Sequence, residues 1–140
     1  MFGKKKKKTI AEKRTVLFVD DDEIVLQSLE RGLLDESYNK LFCKSGIEAL
    51  KIIQQEEVHV VVTDMCMPEM TGIELLREAR KEYPYVVGIV LTGYDQDAEL
   101  KNAAGQGEIF KFITKPWKFG GLDFELLIRQ AIDNYNLQNQ

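Results

Sequence analysis

Short runs of Val, Ile, Leu and Phe recur along the chain, and between them apolar residues return at helical spacing. The first run, Val16-Leu17-Phe18-Val19, shows no polar alternation and reads as a strand buried on both faces, ended by Asp20-Asp21-Asp22. Ile24, Leu26, Leu29, Leu33 and Leu34 then follow a helical pattern. A weaker strand is expected at Lys40-Leu41-Phe42-Cys43. Ser45 caps a helix carrying Ile47, Ala49, Leu50, Ile52 and Ile53. Val58 to Thr63 is the second clear buried strand and stops at Asp64. Pro68 and Gly72 punctuate the loop beyond it. Ile73, Leu75, Leu76 and Ala79 continue as a helix ending near Tyr83-Pro84. Val86 to Leu91 is a strand with Thr92-Gly93 at its end, and 95–104 reads as a helix broken by Gly105 and Gly107. Phe110 to Thr114 is the last strand, closed by Lys115-Pro116. Phe124, Leu127, Ile128, Ala131, Ile132 and Tyr135 mark one stripe of a final amphipathic helix, and Ile132 to Leu137 is expected to extend past the domain body.

Continuous apolar strands alternating with helices predict a parallel sheet covered on both faces, a doubly wound α/β domain. In such sheets ligands bind at the carboxyl ends of the strands. Composition agrees with one soluble unit: 140 residues, 44% hydrophobic and 30% charged. No apolar run approaches the ~20 residues of a membrane span, and no signal-peptide core follows the basic N-terminus, so a cytoplasmic location is expected. Cys43 and Cys66 lie in or just after apolar runs and read as buried free thiols. Neither they nor His59 have metal-site spacing.

The net charge of −4 conceals an asymmetry. Residues 1–14, with Lys4 to Lys8, Lys13 and Arg14 against Glu12, carry +6, which leaves −10 for the rest. The acidic body argues against direct nucleic-acid binding. The segment 1–14 reads as a flexible basic tail, with a weak tether to anionic lipid or RNA as the alternative.

Chemistry concentrates where the strong strands end. Asp20-Asp21-Asp22, Asp64, Thr92 and Lys115 each follow or close one of them, so parallel strands would gather all of them on one edge. Two unit charges about 4 Å apart repel by about 4 kcal/mol at an effective dielectric of about 20. Such a group calls for a cation, and the oxygen-only donor set suits Mg²⁺. Lys115 is a point charge suited to a phosphoryl group, Thr92 a hydroxyl donor, and Asp64 a carboxylate able to form an acyl phosphate.

The strings Val16-Leu-Phe-Val-Asp-Asp-Asp-Glu, Val60-Val-Val-Thr-Asp-Met-Cys-Met-Pro-Glu-Met-Thr-Gly, Ile89-Val-Leu-Thr-Gly and Phe112-Ile-Thr-Lys-Pro resemble the signatures of response-regulator receiver domains. The resemblance covers residues 15–137 and leaves 138–140 as a terminal end, the possible start of a linker helix. It implies a flavodoxin-like five-stranded sheet in the order 2-1-3-4-5. Asp64 would accept a phosphoryl group from a sensor histidine kinase or phosphotransfer protein. Asp20, Asp21, Asp64 and the backbone carbonyl of Cys66 would hold Mg²⁺. Thr92 and Lys115 would serve the phosphoryl group, Thr92 and Phe112 the switch, and the Lys115–Pro116 bond would be cis. Gly93 would leave room for the phosphoryl oxygens, and Asp22 is read as a possible N-cap. The surface formed by the fourth helix, last strand and last helix would change and could support a homodimer. Such a domain is a signalling switch that catalyses only its own phosphorylation and dephosphorylation. Cys66 and Tyr94 flank the expected path of hydrolytic water, and neither is suited to orient it, so a persistent phosphoryl state is expected.

The stretch from Asn102 to Trp117 resembles a narrower subgroup often joined to HD-GYP-type phosphodiesterase, kinase or cyclase modules, so a C-terminal output domain outside this chain is an expectation. Two other readings fit less well. Asp20-x-Asp22 matches the opening motif of haloacid-dehalogenase phosphohydrolases, but Ile24 stands where that class has Thr or Val. Past Lys115 only Asp123, Glu125 and Asp133 remain for its second acidic pair. A nucleotide-binding flavodoxin-like module would need a Gly-rich phosphate loop, which the sequence lacks.

Overall fold

The structure is a computed structural model and describes residues 13–93, 97–114 and 123–139. Five strands alternate with five helices: β1 Thr15–Val19, α1 Glu23–Gly32, β2 Asn39–Cys43, α2 Gly46–Gln55, β3 Val60–Asp64, α3 Gly72–Glu82, β4 Val87–Thr92, α4 Ala98–Gly105, β5 Lys111–Thr114 and α5 Asp123–Gln138. The sheet order is β2-β1-β3-β4-β5 and every pairing is parallel. This is the doubly wound, flavodoxin-like order.

Each strand feeds two cores because successive side chains point to opposite faces. In β1, Val16 and Phe18 pack with Leu26 and Leu29 of α1 and Phe124, Ile128 and Ala131 of α5. Leu17 and Val19 pack on the other face with Ala49 of α2, Ile73 and Leu76 of α3, and Leu100 of α4. The central strands β3 and β4 are buried along their whole length, which explains their unbroken apolar runs.

The helix starts are chemically marked. Asp22, Ser45, Thr71 and Asp97 each accept a backbone N–H of the helix they open, and Thr71 with Glu74 forms a reciprocal capping box. Asp22 is thus the N-cap of α1, through its contact with Ile24 N–H at 2.9 Å.

Several sequence expectations need correction. Ile24 and Leu34 are exposed, at 72% and 71%: the buried stripe of α1 runs through Leu26 and Leu29, and the helix ends before Leu34. Cys66 is exposed, because it lies past the end of β3 while Met65 and Met67 on either side turn inward. α5 does not leave the body at Ile132. That residue is 4% exposed, and Tyr135 one turn later still packs on the domain, edge-on to His59 at 4.8 Å and to Tyr85 at 5.8 Å. Leu137, 70% exposed, is the first apolar residue of this stretch to face away.

Candidate functional site

β1 and β3 are neighbours, so the residues that end them meet. Phe18 is in register with Val62 and Val19 with Thr63, which sets Asp20 level with Asp64. Asp64 closes β3 opposite Leu91 of β4, and Met65 N–H continues the ladder by donating to the Leu91 carbonyl at 2.8 Å. Asp20 is 1% and Asp64 7% exposed, while Asp21 faces solvent. Carboxylate oxygens of Asp20, Asp21 and Asp64 lie within 4.8 Å of one another. Asp20 is held in place by its N–H donating to the Cys43 carbonyl at 3.2 Å and by Oδ1 accepting Asp22 N–H at 2.9 Å.

The β3–α3 connection is tightly built around Asp64. Thr63 Oγ1 donates to the Asp64 carbonyl at 3.0 Å, and Gly72 N–H donates to the Met65 carbonyl at 2.9 Å. A Cβ at position 72 would stand 2.5 Å from the Asp64 carbonyl oxygen, so only glycine lets α3 start this close to the strand end. Glu69 has φ of 70°, a left-handed conformation uncommon for a residue with a side chain. Such outliers concentrate at functional loops.

Thr92 ends β4, is 3% exposed and pairs with Thr114 of β5. Phe112 pairs with Val90 and packs, half-buried, against the core to which α4 contributes Leu100 and Ala103. Among described residues nothing lies within 4 Å of a Cβ built on Gly93, next to Thr92. Lys115, its bond to Pro116, and Tyr94 lie outside the described residues. Directly behind the acidic group sits Cys43, whose thiol is pushed up to about 12 by burial and by Glu48, against a lowering contact with the Ser45 carbonyl. It is therefore a neutral core group. The capping of α1 by Asp22 also weakens the dehalogenase-type reading, because that carboxylate serves the helix and the cluster partner of Asp20 is Asp64.

A doubly wound parallel sheet with a carboxylate cluster at its carboxyl edge, a buried hydroxyl on the neighbouring strand and a half-buried aromatic on the next is the receiver arrangement. The family model for the response regulator receiver domain matches residues 16–125, and the chain belongs to that family. The hydrogenase transcriptional regulatory protein HoxA of Cupriavidus necator is 33% identical over 129 residues, covering 92% of this chain and 26% of that protein. The sensor kinase CckA of Brucella abortus is 40% identical over 105 residues, covering 74% of this chain and 11% of that protein. The chain thus spans about a quarter or less of these relatives. A solved structure of the signal receiver domain of an HD domain-containing protein from Pseudomonas fluorescens superposes with a TM-score of 0.83 at 29% identity, covering 94% of this chain and 96% of that one. Among the described residues no helix is long and apolar enough to cross a membrane.

Proposed function

We propose that this receiver domain is a phosphorylation-controlled switch whose Asp64 accepts a phosphoryl group from the phosphohistidine of a sensor histidine kinase or phosphotransfer protein. The observation that carries this is the gathering of three carboxylates within 4.8 Å at the ends of adjacent strands. Like charges this close repel by about 3.5 kcal/mol or more per pair at an effective dielectric of about 20, so the arrangement favours a cation beside it. An all-oxygen donor set fits Mg²⁺, with Asp20, Asp21, Asp64 and the Cys66 backbone carbonyl as its holders. When bound, the ion would neutralise charge on the phosphoryl oxygens.

The chain's own residues divide the remaining work. An oxygen of Asp64 attacks phosphorus. The new O–P bond forms as the N–P bond breaks, and the imidazole nitrogen leaves with its electron pair. The burial of Asp64 limits access of competing water. Lys115 is assigned to the phosphoryl charge. Thr92 donates its hydroxyl to a phosphoryl oxygen, and Phe112 follows it inward against the α4 side of the core, changing the α4-β5-α5 surface. Phosphorylation biases this two-state equilibrium only by its differential affinity for the two states.

Residues 15–137 are assigned as the receiver unit, 1–14 as a basic tail, and 138–140 as the start of a connection to an output domain. A homodimer through α4-β5-α5 and a cytoplasmic setting complete the reading. The lengths of the curated relatives support an attached output domain, and the neighbour from an HD domain-containing protein supports the subgroup. The test is mass spectrometry after treatment with a small phosphodonor. Modification is expected on Asp64, only with Mg²⁺, and not in Asp64→Asn. Full phosphorylation of that variant would sink the assignment.

A further inference from the structure

A cavity of about 410 Å³ lies between the α1–β2 connection and α5, away from the acidic cluster. Asp35, Glu36, Tyr38, Arg129 and Asp133 are among its walls. The cation in its wall, Arg129, and the nearby Lys40 are already engaged. Arg129 Nε and Nη2 donate to the Glu36 carboxylate at 2.8 and 2.7 Å. Lys40 Nζ donates to the Glu36 carbonyl at 2.6 Å and to the Tyr38 carbonyl at 3.4 Å, and lies 5.1 Å from the centre of the Tyr38 ring. The carboxylates of Asp35 and Asp133 have no partner among the described residues.

Tyr38 adds an independent signal. It is 4% exposed, and its hydroxyl, closed off from solvent, has no hydrogen-bond partner among the described residues. Burial, and then Glu36, pushes the phenol above its ordinary range, so it stays protonated. An orphaned buried hydroxyl is uncommon and points to a missing partner. The unmatched groups in the wall are two carboxylates and a protonated phenol, whose oxygen still has lone pairs to accept with. They match a ligand made of donors, and an ammonium group has three donors and no acceptor.

The chain carries such groups next door. The Arg14 carbonyl accepts Asn39 N–H at 2.8 Å, and Arg14 Nε donates to Asn136 Oδ1 at 2.6 Å. The chain therefore enters the sheet between the start of β2 and the last turns of α5. Asn39 directly follows Tyr38, and Asn136 is one helical turn beyond Asp133. Lys8, the last of the run Lys4 to Lys8, precedes Arg14 by six positions, an interval that can span about 20 Å when extended. We propose that the Lys4–Lys8 run docks into this cavity, seating an ammonium group between Asp35 and Asp133 with the Tyr38 oxygen as a further acceptor.

Tethering favours this occupant, because a short linker holds the run at millimolar effective concentration. The body's charge of −10 also repels lipid surfaces and nucleic acids while it attracts the tail. Single exposed ion pairs are weak, so docking is reversible and salt-sensitive.

The test places a spin label at Gly3→Cys in a Cys66→Ser background of the full chain. At low salt, amides of residues 33–38 and 130–136 should broaden, and the broadening should fade near about 1 M salt, where the screening length is about 3 Å. Asp35→Asn with Asp133→Asn, two exposed changes that leave the fold intact, should abolish it. Absent or evenly spread broadening, or broadening unchanged in that double variant, would overturn the proposal. Co-sedimentation with vesicles about one quarter phosphatidylserine, and binding to a single-stranded RNA, supply the competing occupants. The double variant should bind them several-fold more than the unlabelled wild-type chain, whose tail is occupied. Equal binding would show the tail to be free and would also overturn the proposal.

Discussion

The two edges of this sheet treat buried polar groups in opposite ways. At the amino edge, His59 is 1% exposed and fully served by its own chain: Nδ1 accepts Thr15 N–H at 2.9 Å, which leaves the proton on Nε2 to meet Glu57 Oε1 at 2.7 Å. Tyr135 packs on that ring, and the Arg14 guanidinium sits 5.0 Å over Tyr135. At the carboxyl edge, Asp20, Asp21 and Asp64 turn like charges toward one another within 4.8 Å. One edge is finished by folding. The other gathers like charges at the strand ends, the arrangement that the proposed Mg²⁺ site would use. The same strands run through both, so the difference lies in what terminates them.

The sharpest way to break this contrast is to remove a charge from the acidic edge. Asp21→Ala should melt a few degrees higher than wild type in EDTA. Wild type should gain about 2.7 kcal/mol at Mg²⁺ a hundredfold above its Kd, and the variant should gain little. Equal gains in a thermal melt would show that Asp21 is no ligand. At the finished edge the sign reverses. Tyr135→Ala should lose about 2 kcal/mol in urea unfolding, since it removes a half-buried ring and its aromatic and cationic contacts. Phosphodonor uptake by Asp64 should be unchanged, and a large fall in uptake would mean the edges are not separable.

How far this contrast is legible in the sequence depends on the edge. The acidic edge is legible because strand ends are marked by an abrupt change from apolar runs to Asp, and parallel pairing then brings those ends together. Asp22 as an N-cap is legible for the same local reason. The amino edge is not. His59 is a lone histidine without a motif, and its partners Thr15, Glu57 and Tyr135 meet it only through tertiary packing. That packing is also why Ile132 and Tyr135 stay on the body, where helical periodicity alone sends them past it. Ile24, Leu34 and Cys66 fail in the other direction. Apolar residues at helix starts, helix ends and loop positions satisfy a periodic pattern without being buried by it.

Smaller effects refine the picture of the acidic edge. Thr92→Ala should still be phosphorylated on Asp64, yet its partner binding or dimerisation should no longer respond. A wild-type response in light scattering would remove the switch role. A thiol reagent at pH 8 should label Cys66 once and leave Cys43 unlabelled until unfolding, because the Cys43 thiol is held up at about 12. For the same reason, stability contributed by Cys43 is present below the unfolded thiol range of about 8.5 and is lost as pH rises toward 12. Labelling of both thiols in the folded chain would contradict this burial. Finally, Cys66→Asn with Tyr94→Glu should shorten the phosphoryl lifetime severalfold. A longer lifetime in that double variant would remove the idea that these positions slow hydrolysis.

The contact between Arg14 and Asn136, 122 positions apart and only 2.6 Å between their side-chain atoms, makes the domain a closed loop in space. Both ends of the folded unit leave from one spot, on the opposite edge of the sheet from Asp64. A unit with this geometry can be spliced into a longer polypeptide, or have its ends joined and new ones opened elsewhere, without stretching any strand of the sheet. Transplantation of the whole unit would then leave the acidic edge untouched, since neither junction lies near it.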